Sequence, residues 1–149
     1  MDLPDWRSAN RGESPMSKTP SRPNIFPALK YQNAKSAIDF LNKAFGFSTA
    51  MSYPGEGEKI VHAELKLGAG TIMLGSDTKN PDNPWDAVRI GIYVQIDDVD
   101  AHYVRAKAAG ARIVRPLAST EYGAREYSAY DSEDNLWSFG TYHPDAAEK

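Results

Sequence analysis

The 149 residues carry 41% hydrophobic and 25% charged side chains with a formal net charge of −3, a balance that suits one globular domain and leaves no basic footprint for nucleic acid. There is no cysteine, so neither a disulfide framework nor a thiolate nucleophile enters the reading. No apolar run is long enough for a signal-peptide core or a membrane span, and a cytoplasmic protein with no membrane partner is expected.

Residues 1–23 hold Pro4, Pro15, Pro20 and Pro23 among Ser, Asn, Arg and Gly, with no period that builds an amphipathic element. They are expected to form an extended N-terminal arm, with Trp6 as its anchor. From Asn24 the pattern becomes regular. Residues 25–31 read as a strand, and Asn33 then caps a helix whose face carries Ala34, Ile38, Leu41 and Phe45, ended by Gly46. Residues 47–53 continue as a strand and Pro54-Gly55-Glu56-Gly57 turns. Residues 60–67 alternate into the Gly68-Ala69-Gly70 turn and a fourth strand over 71–75. The order is βαβββ. Residues 76–87, rich in Asp, Asn and Pro, connect to the second half around Trp85.

The second half repeats the first. A strand over 88–96 leads to Asp98 at a helix-cap position. Val99, Tyr103 and Ala106 each stand 65 positions after Ala34, Ile38 and Leu41, and Gly110 closes this helix as Gly46 closes the first. A strand over 113–117 follows, then an alternating run that enters a polar turn at 131–135 and leaves through Leu136, Trp137 and Phe139 as a hairpin. Two modules, 24–75 and 88–142, make one domain over 24–142, with a tail at 143–149.

That last hairpin carries a resemblance. Asp131-Ser132-Glu133-Asp134-Asn135-Leu136-Trp137 resembles the Asp-Pro-x-Gly-(His/Asn)-x-Trp/Ile turn of the vicinal oxygen chelate superfamily of glyoxalases, bleomycin-resistance proteins and extradiol dioxygenases. Ser132 replaces the usual proline, and Asp134 the usual glycine of a left-handed position. The resemblance implies an α+β fold of two tandem βαβββ modules whose curved mixed sheets form a cleft, the glyoxalase/bleomycin resistance fold. It also implies a small-molecule ligand and a homodimer.

Alternation in half-buried strands assigns the cleft. Ile90, Ile92, Val94 and Ile96 face the helices, leaving Arg89, Gly91, Tyr93 and Gln95. Val61, Ala63, Leu65 and Leu67 leave His62, Glu64 and Lys66. Ile72 and Leu74 leave Met73, and Trp137 and Phe139 leave Leu136 and Ser138. A three-residue loop pairing Asp131 with Asn135 brings Glu126, Ser128 and Tyr130 to the cleft; a slip of one residue would bring Arg125, Tyr127 and Ala129 instead.

In metal-dependent members of the superfamily, His or Glu from four strands hold a divalent ion. By the resemblance those positions fall on Phe26, Met73, Gly91 and Ser138, which supply essentially no donors. No metal and no cofactor are therefore expected, and the closest branch is the metal-free bleomycin-resistance one. The expected ligand-binding set is Phe26, His62, Glu64, Met73, Trp85, Arg89, Tyr93, Gln95, Glu126, Ser128, Tyr130 and Ser138. A planar ligand is expected against Tyr93, with Trp85 either a lid over the cleft or a packed loop residue. His62 and Glu64 are either a solvated pair or an acid–base pair. Arg89 is either an anion clamp or a strand-end charge. His102 lies off the apolar face of its helix and draws no role, and the acidic run at 131–134 reads as turn chemistry. Three readings follow: a metal-free binding protein, a lyase- or dioxygenase-type enzyme using His62 and Glu64 or a displaced ion, and an assembly protein whose cleft its own side chains fill.

Overall fold

The computed structural model describes residues 23–144; the N-terminal arm with Trp6, and most of the C-terminal tail, lie outside them. Each half builds its own four-stranded sheet. In the first, β1 (Ala28–Tyr31), β2 (Ser48–Pro54), β3 (Ile60–Leu67) and β4 (Gly70–Ser76) lie in the order β1-β4-β3-β2. In the second, β5 (Gly91–Gln95), β6 (Arg112–Ser119), β7 (Arg125–Tyr130) and β8 (Leu136–Gly140) repeat it as β5-β8-β7-β6. Among the described strands, only the β1/β4 and β5/β8 pairs are parallel. The repeat reaches individual residue pairs: Ala28 lies beside Met73, and 65 positions on Tyr93 lies beside Ser138.

The first strand starts later than the sequence suggests, at Ala28 rather than residue 25. Pro23 and Pro27 cannot donate to a ladder, and Ile25 is exposed. The fifth strand likewise begins at Gly91 rather than residue 88. The two caps are as expected: Asn33 Oδ1 accepts from Ser36 N–H at the start of α1 (Ala34–Phe40), and Asp98 Oδ1 from Ala101 N–H at the start of α2 (Val99–Ala108), each at 3.1 Å. α1 runs on into a π-helical turn, Leu41–Phe45, that Gly46 ends at φ 86°.

The modules share one core. Phe45, at the end of the first helix, packs on Trp137 and Phe139 of β8, with ring centroids 5.5 and 4.8 Å apart. The second helix caps the first: Arg105 donates to the carbonyls of Lys43 and Asn42, and the His102 ring binds that of Phe45. A helix end leaves such carbonyls without intrahelical partners, and here side chains of the other module supply them.

A second joint lies at the closing hairpin. Asp131 is 3% exposed, yet its carboxylate accepts from Tyr31 Oη (2.6 Å), Trp137 Nε1 (3.0 Å), the Asn135 amide (3.2 Å) and the backbone N–H groups of Glu133 and Asn135. Five donors offset the cost of burying the charge. Glu133 spans Gln32 N–H and Asn33 N–H, at 2.7 and 2.8 Å. The reading of this acidic run as turn chemistry alone is therefore corrected: Asp131 and Glu133 tie the end of module two to the β1–α1 corner of module one, about 100 residues away. Burial, then the Asp131 charge, push the Tyr31 hydroxyl far above its usual range. Asp134 takes the left-handed position at φ 72°.

Candidate functional site

The register expected for the last hairpin is the one observed. Asp131 N–H donates to Asn135 C=O, and Tyr130 lies beside Leu136. Tyr127 and Ala129 accordingly turn into the core, and Glu126, Ser128 and Tyr130 to the open face. The open face of the first sheet carries Lys30, His62, Glu64 and Met73, with Tyr53 and Met51 beside His62 and Glu64 on β2.

These faces form two separate bowls. Over the first sheet, a cavity of about 380 Å³ is lined by His62, Met73, Lys30, Asn83 and Trp85. Asn83 caps the short 3₁₀ turn Pro84–Ala87 that presents Trp85, itself 55% exposed. His62 Nε2 lies 3.0 Å from Glu64 Oε2. On the second sheet, along the β6–β7 hairpin, a cavity of about 480 Å³ is lined by Glu126, Ser128, Arg115 and Tyr122. Tyr122 Oη donates to Glu126, which raises the hydroxyl's pKa, and Ser128 Oγ pairs with Ser138 Oγ at 2.5 Å.

The remaining expected site residues lie elsewhere. Tyr93, 39% exposed, donates its hydroxyl to Tyr142 C=O at 2.6 Å, and burial raises its pKa. With Gln95 it borders a third cavity between the modules, so Tyr93 and Trp85 do not flank one ligand space within a chain. Phe26 precedes β1 and lines none of the three cavities. Arg89 is exposed and donates to its neighbour's carbonyl, as a strand-end charge would. Tyr130 lies under the Arg112 guanidinium, 4.6 Å from ring centre. Lys30 was legible by parity between Leu29 and Tyr31; Asn83, Arg115 and Tyr122 sit on loops or at strand irregularities, where no period points to them.

The model of the Glyoxalase/Bleomycin resistance protein/Dioxygenase superfamily matches residues 28–139. The chain belongs to this superfamily. It is 32% identical to an uncharacterised protein of Mycobacterium bovis, over 79% of this chain and 82% of that one. The crystal structure of TioX from a Micromonospora species superposes with a TM-score of 0.68 at 32% identity, over 79% of this chain and 94% of that one. A fosfomycin resistance protein of Listeria monocytogenes, FosX, complexed with Mn(II) and a dihydroxypropylphosphonic acid, shares the fold at TM-score 0.60 and 16% identity, over 85% and 98% of the two chains.

The superfamily includes metal-bound members, so the donor set is the test. Met73 offers only a weak thioether and Ser138 a hydroxyl already paired with Ser128, while Phe26 and Gly91 offer no side-chain donor. Among the described residues no three His, Cys, Asp or Glu side chains converge as a metal site. The four residues that the resemblance puts at the superfamily's ligand positions do not offer a donor set that fits a divalent ion. No described helix is long and apolar enough to cross a membrane.

Proposed function

We propose that the protein binds a small, partly aromatic molecule on the open faces of its sheets, without a metal at the superfamily's ligand positions, as the bleomycin-resistance branch does. The observation that carries this reading is the division of each sheet. Aliphatic and aromatic side chains turn to the helices, and polar groups with an exposed indole line the other side, in cavities of about 380 and 480 Å³. Such volumes fall within the roughly 300–1,000 Å³ typical of small-molecule sites. A two-fold pair of chains would set the bowl of one module against that of the partner's other module and close both, and a homodimer is part of the proposal.

A thermal-shift screen of aromatic antibiotics and small metabolites, with and without chelator, tests it. A stabilising ligand insensitive to chelator and weakened by Trp85→Ala is expected; loss of all binding on chelation would overturn the metal-free reading. A monomeric mass in light scattering at micromolar concentration would remove the paired cleft.

The 3.0 Å His62–Glu64 contact favours a second reading, in which the first bowl performs acid–base chemistry. Turnover of a dicarbonyl or catechol that falls in His62→Gln while the protein stays folded would select it.

A further inference from the structure

We propose that the third cavity, between the β3–β4 turn and the β5–α2 corner, is a second binding site, for a planar aromatic molecule with a cationic end. It lies off both bowls and does not depend on the reading above.

The repeat gives the two corners matching positions. At the β1–α1 corner the space beneath the opposing hairpin is filled by Tyr31, Asp131, Asn135 and Trp137, all buried. The matching positions at the β5–α2 corner follow from strand pairing. Ile96 stands for Tyr31 and Ile72 for Trp137, each shifted by 65. The Leu67–Gly70 pair that closes the first hairpin stands for Asp131 and Asn135. Two rings, a carboxylate and a carboxamide are thus replaced by three aliphatic side chains and a glycine. The Gly68-Ala69 turn is one residue shorter than Ser132-Glu133-Asp134 and sends no side chain like Glu133 across. What remains is a cavity of about 540 Å³.

Its chemistry selects the ligand. Leu67, Ile92, Val94 and Ile96 give apolar walls over the buried Phe47 and Trp137 rings, and Tyr93, exposed on the same cavity, offers the accessible aromatic surface for a flat ring. The same cavity is bordered by the Asp97 carboxylate, which Gln95 Nε2 holds at 2.8 Å, and by the His143 ring; among the described residues of its lining, Asp97 is the one acidic side chain. Where the closed corner receives an acid, Glu133, the open one presents an acid, and a cation is the complement.

Indole, tryptamine and indole-3-acetate share one ring system and differ in the charge of the side chain. Titrated into the full chain and followed by amide shifts of Gly68, Gly70 and Asp97, tryptamine should bind tightest, about tenfold or more over indole-3-acetate. Ile72→Trp, which restores the ring found in the other module, should abolish binding with the melting temperature held or raised. Asp97→Asn should reduce tryptamine to the affinity of indole. Val104→Ala, exposed on α2 and outside all three cavities, should change nothing. Equal affinity for the three probes, shifts confined to the bowls, or binding that survives Ile72→Trp in a folded protein would each overturn the proposal. Should Ile72→Trp fail to fold, the Asp97→Asn comparison decides alone.

Discussion

Where β1 turns into α1, the Tyr31 hydroxyl meets a buried carboxylate that also holds an indole and an amide. Where β5 turns into α2, Ile96 and Leu67 line open space. The two corners have the same backbone plan and opposite contents, which shows that the duplicated module dictates strands and caps but not what fills the gap beneath a hairpin. A closed corner locks the modules together through specific polar pairing; an open one leaves volume for something else to occupy.

Breaking the closed corner should have the largest effect. Asp131→Ala strands the Tyr31 hydroxyl, the Trp137 N–H and the Asn135 amide, each buried donor costing about 1 to 3 kcal/mol, so a loss above about 3 kcal/mol is expected in denaturant unfolding. A loss under about 1 kcal/mol would show that this network does not join the modules. Phe139→Ala removes the ring on which Phe45 and His102 pack and should cost about 3 to 5 kcal/mol. A near-neutral midpoint would invert the assignment of sheet faces.

The helix joint sharpens the comparison through pH. His102 Nε2 must donate to Phe45 C=O, so in the neutral ring Nδ1 accepts from Tyr127 Oη, at 2.6 Å. Burial favours this neutral form and lowers the ring's pKa; the hydrogen bond to the Phe45 carbonyl opposes it in part, and the nearby Arg105 charge adds a smaller push the same way as burial. A depressed folded value means that the unfolded chain takes up the proton first. Stability from this group is therefore full above about pH 6.5 and declines as pH falls from there to the depressed folded value. Melting curves between pH 8 and pH 5 should show a steeper acid loss for wild type than for His102→Gln; parallel curves would remove His102 as the titrating group.

The smallest effect belongs to the turn of the closed corner. Asp134 holds φ 72° at a position that glycine adopts freely, and its ion pair with Arg112 is exposed. Asp134→Gly should stabilise by up to about 1 kcal/mol. A clear destabilisation would mean that the Arg112 pair outweighs the backbone strain.

Local pattern made most of the fold legible. Asn33 and Asp98 cap helices through their own side chains within three residues, and alternation along 60–67 or 136–139 needs only neighbours to be read. The repeat supplied the topology. Asp131 and His102 escaped for the same physical reason: their partners lie about 100 and 57 positions away, and a polar residue beside an apolar face looks solvated until the other module covers it. The site was legible face by face, because parity separates open from packed residues on one strand. It was not legible as a whole, because parity does not say which open faces share a space, and Tyr93 and Trp85 line different ones.

The π-helical turn at Leu41–Phe45 also records a difference in length. The helix caps Asn33 and Asp98 are 65 apart, the closing glycines Gly46 and Gly110 only 64, and Met73 and Ser138 again 65. The first helix therefore holds one residue more than its mate, and the widened turn accommodates it. Deleting one residue there, such as Lys43, should let an ordinary α-helix form and keep Phe45 against Trp137 and Phe139, because the widened turn absorbs the extra residue without turning the face that follows it. The first helix would then match its mate residue for residue.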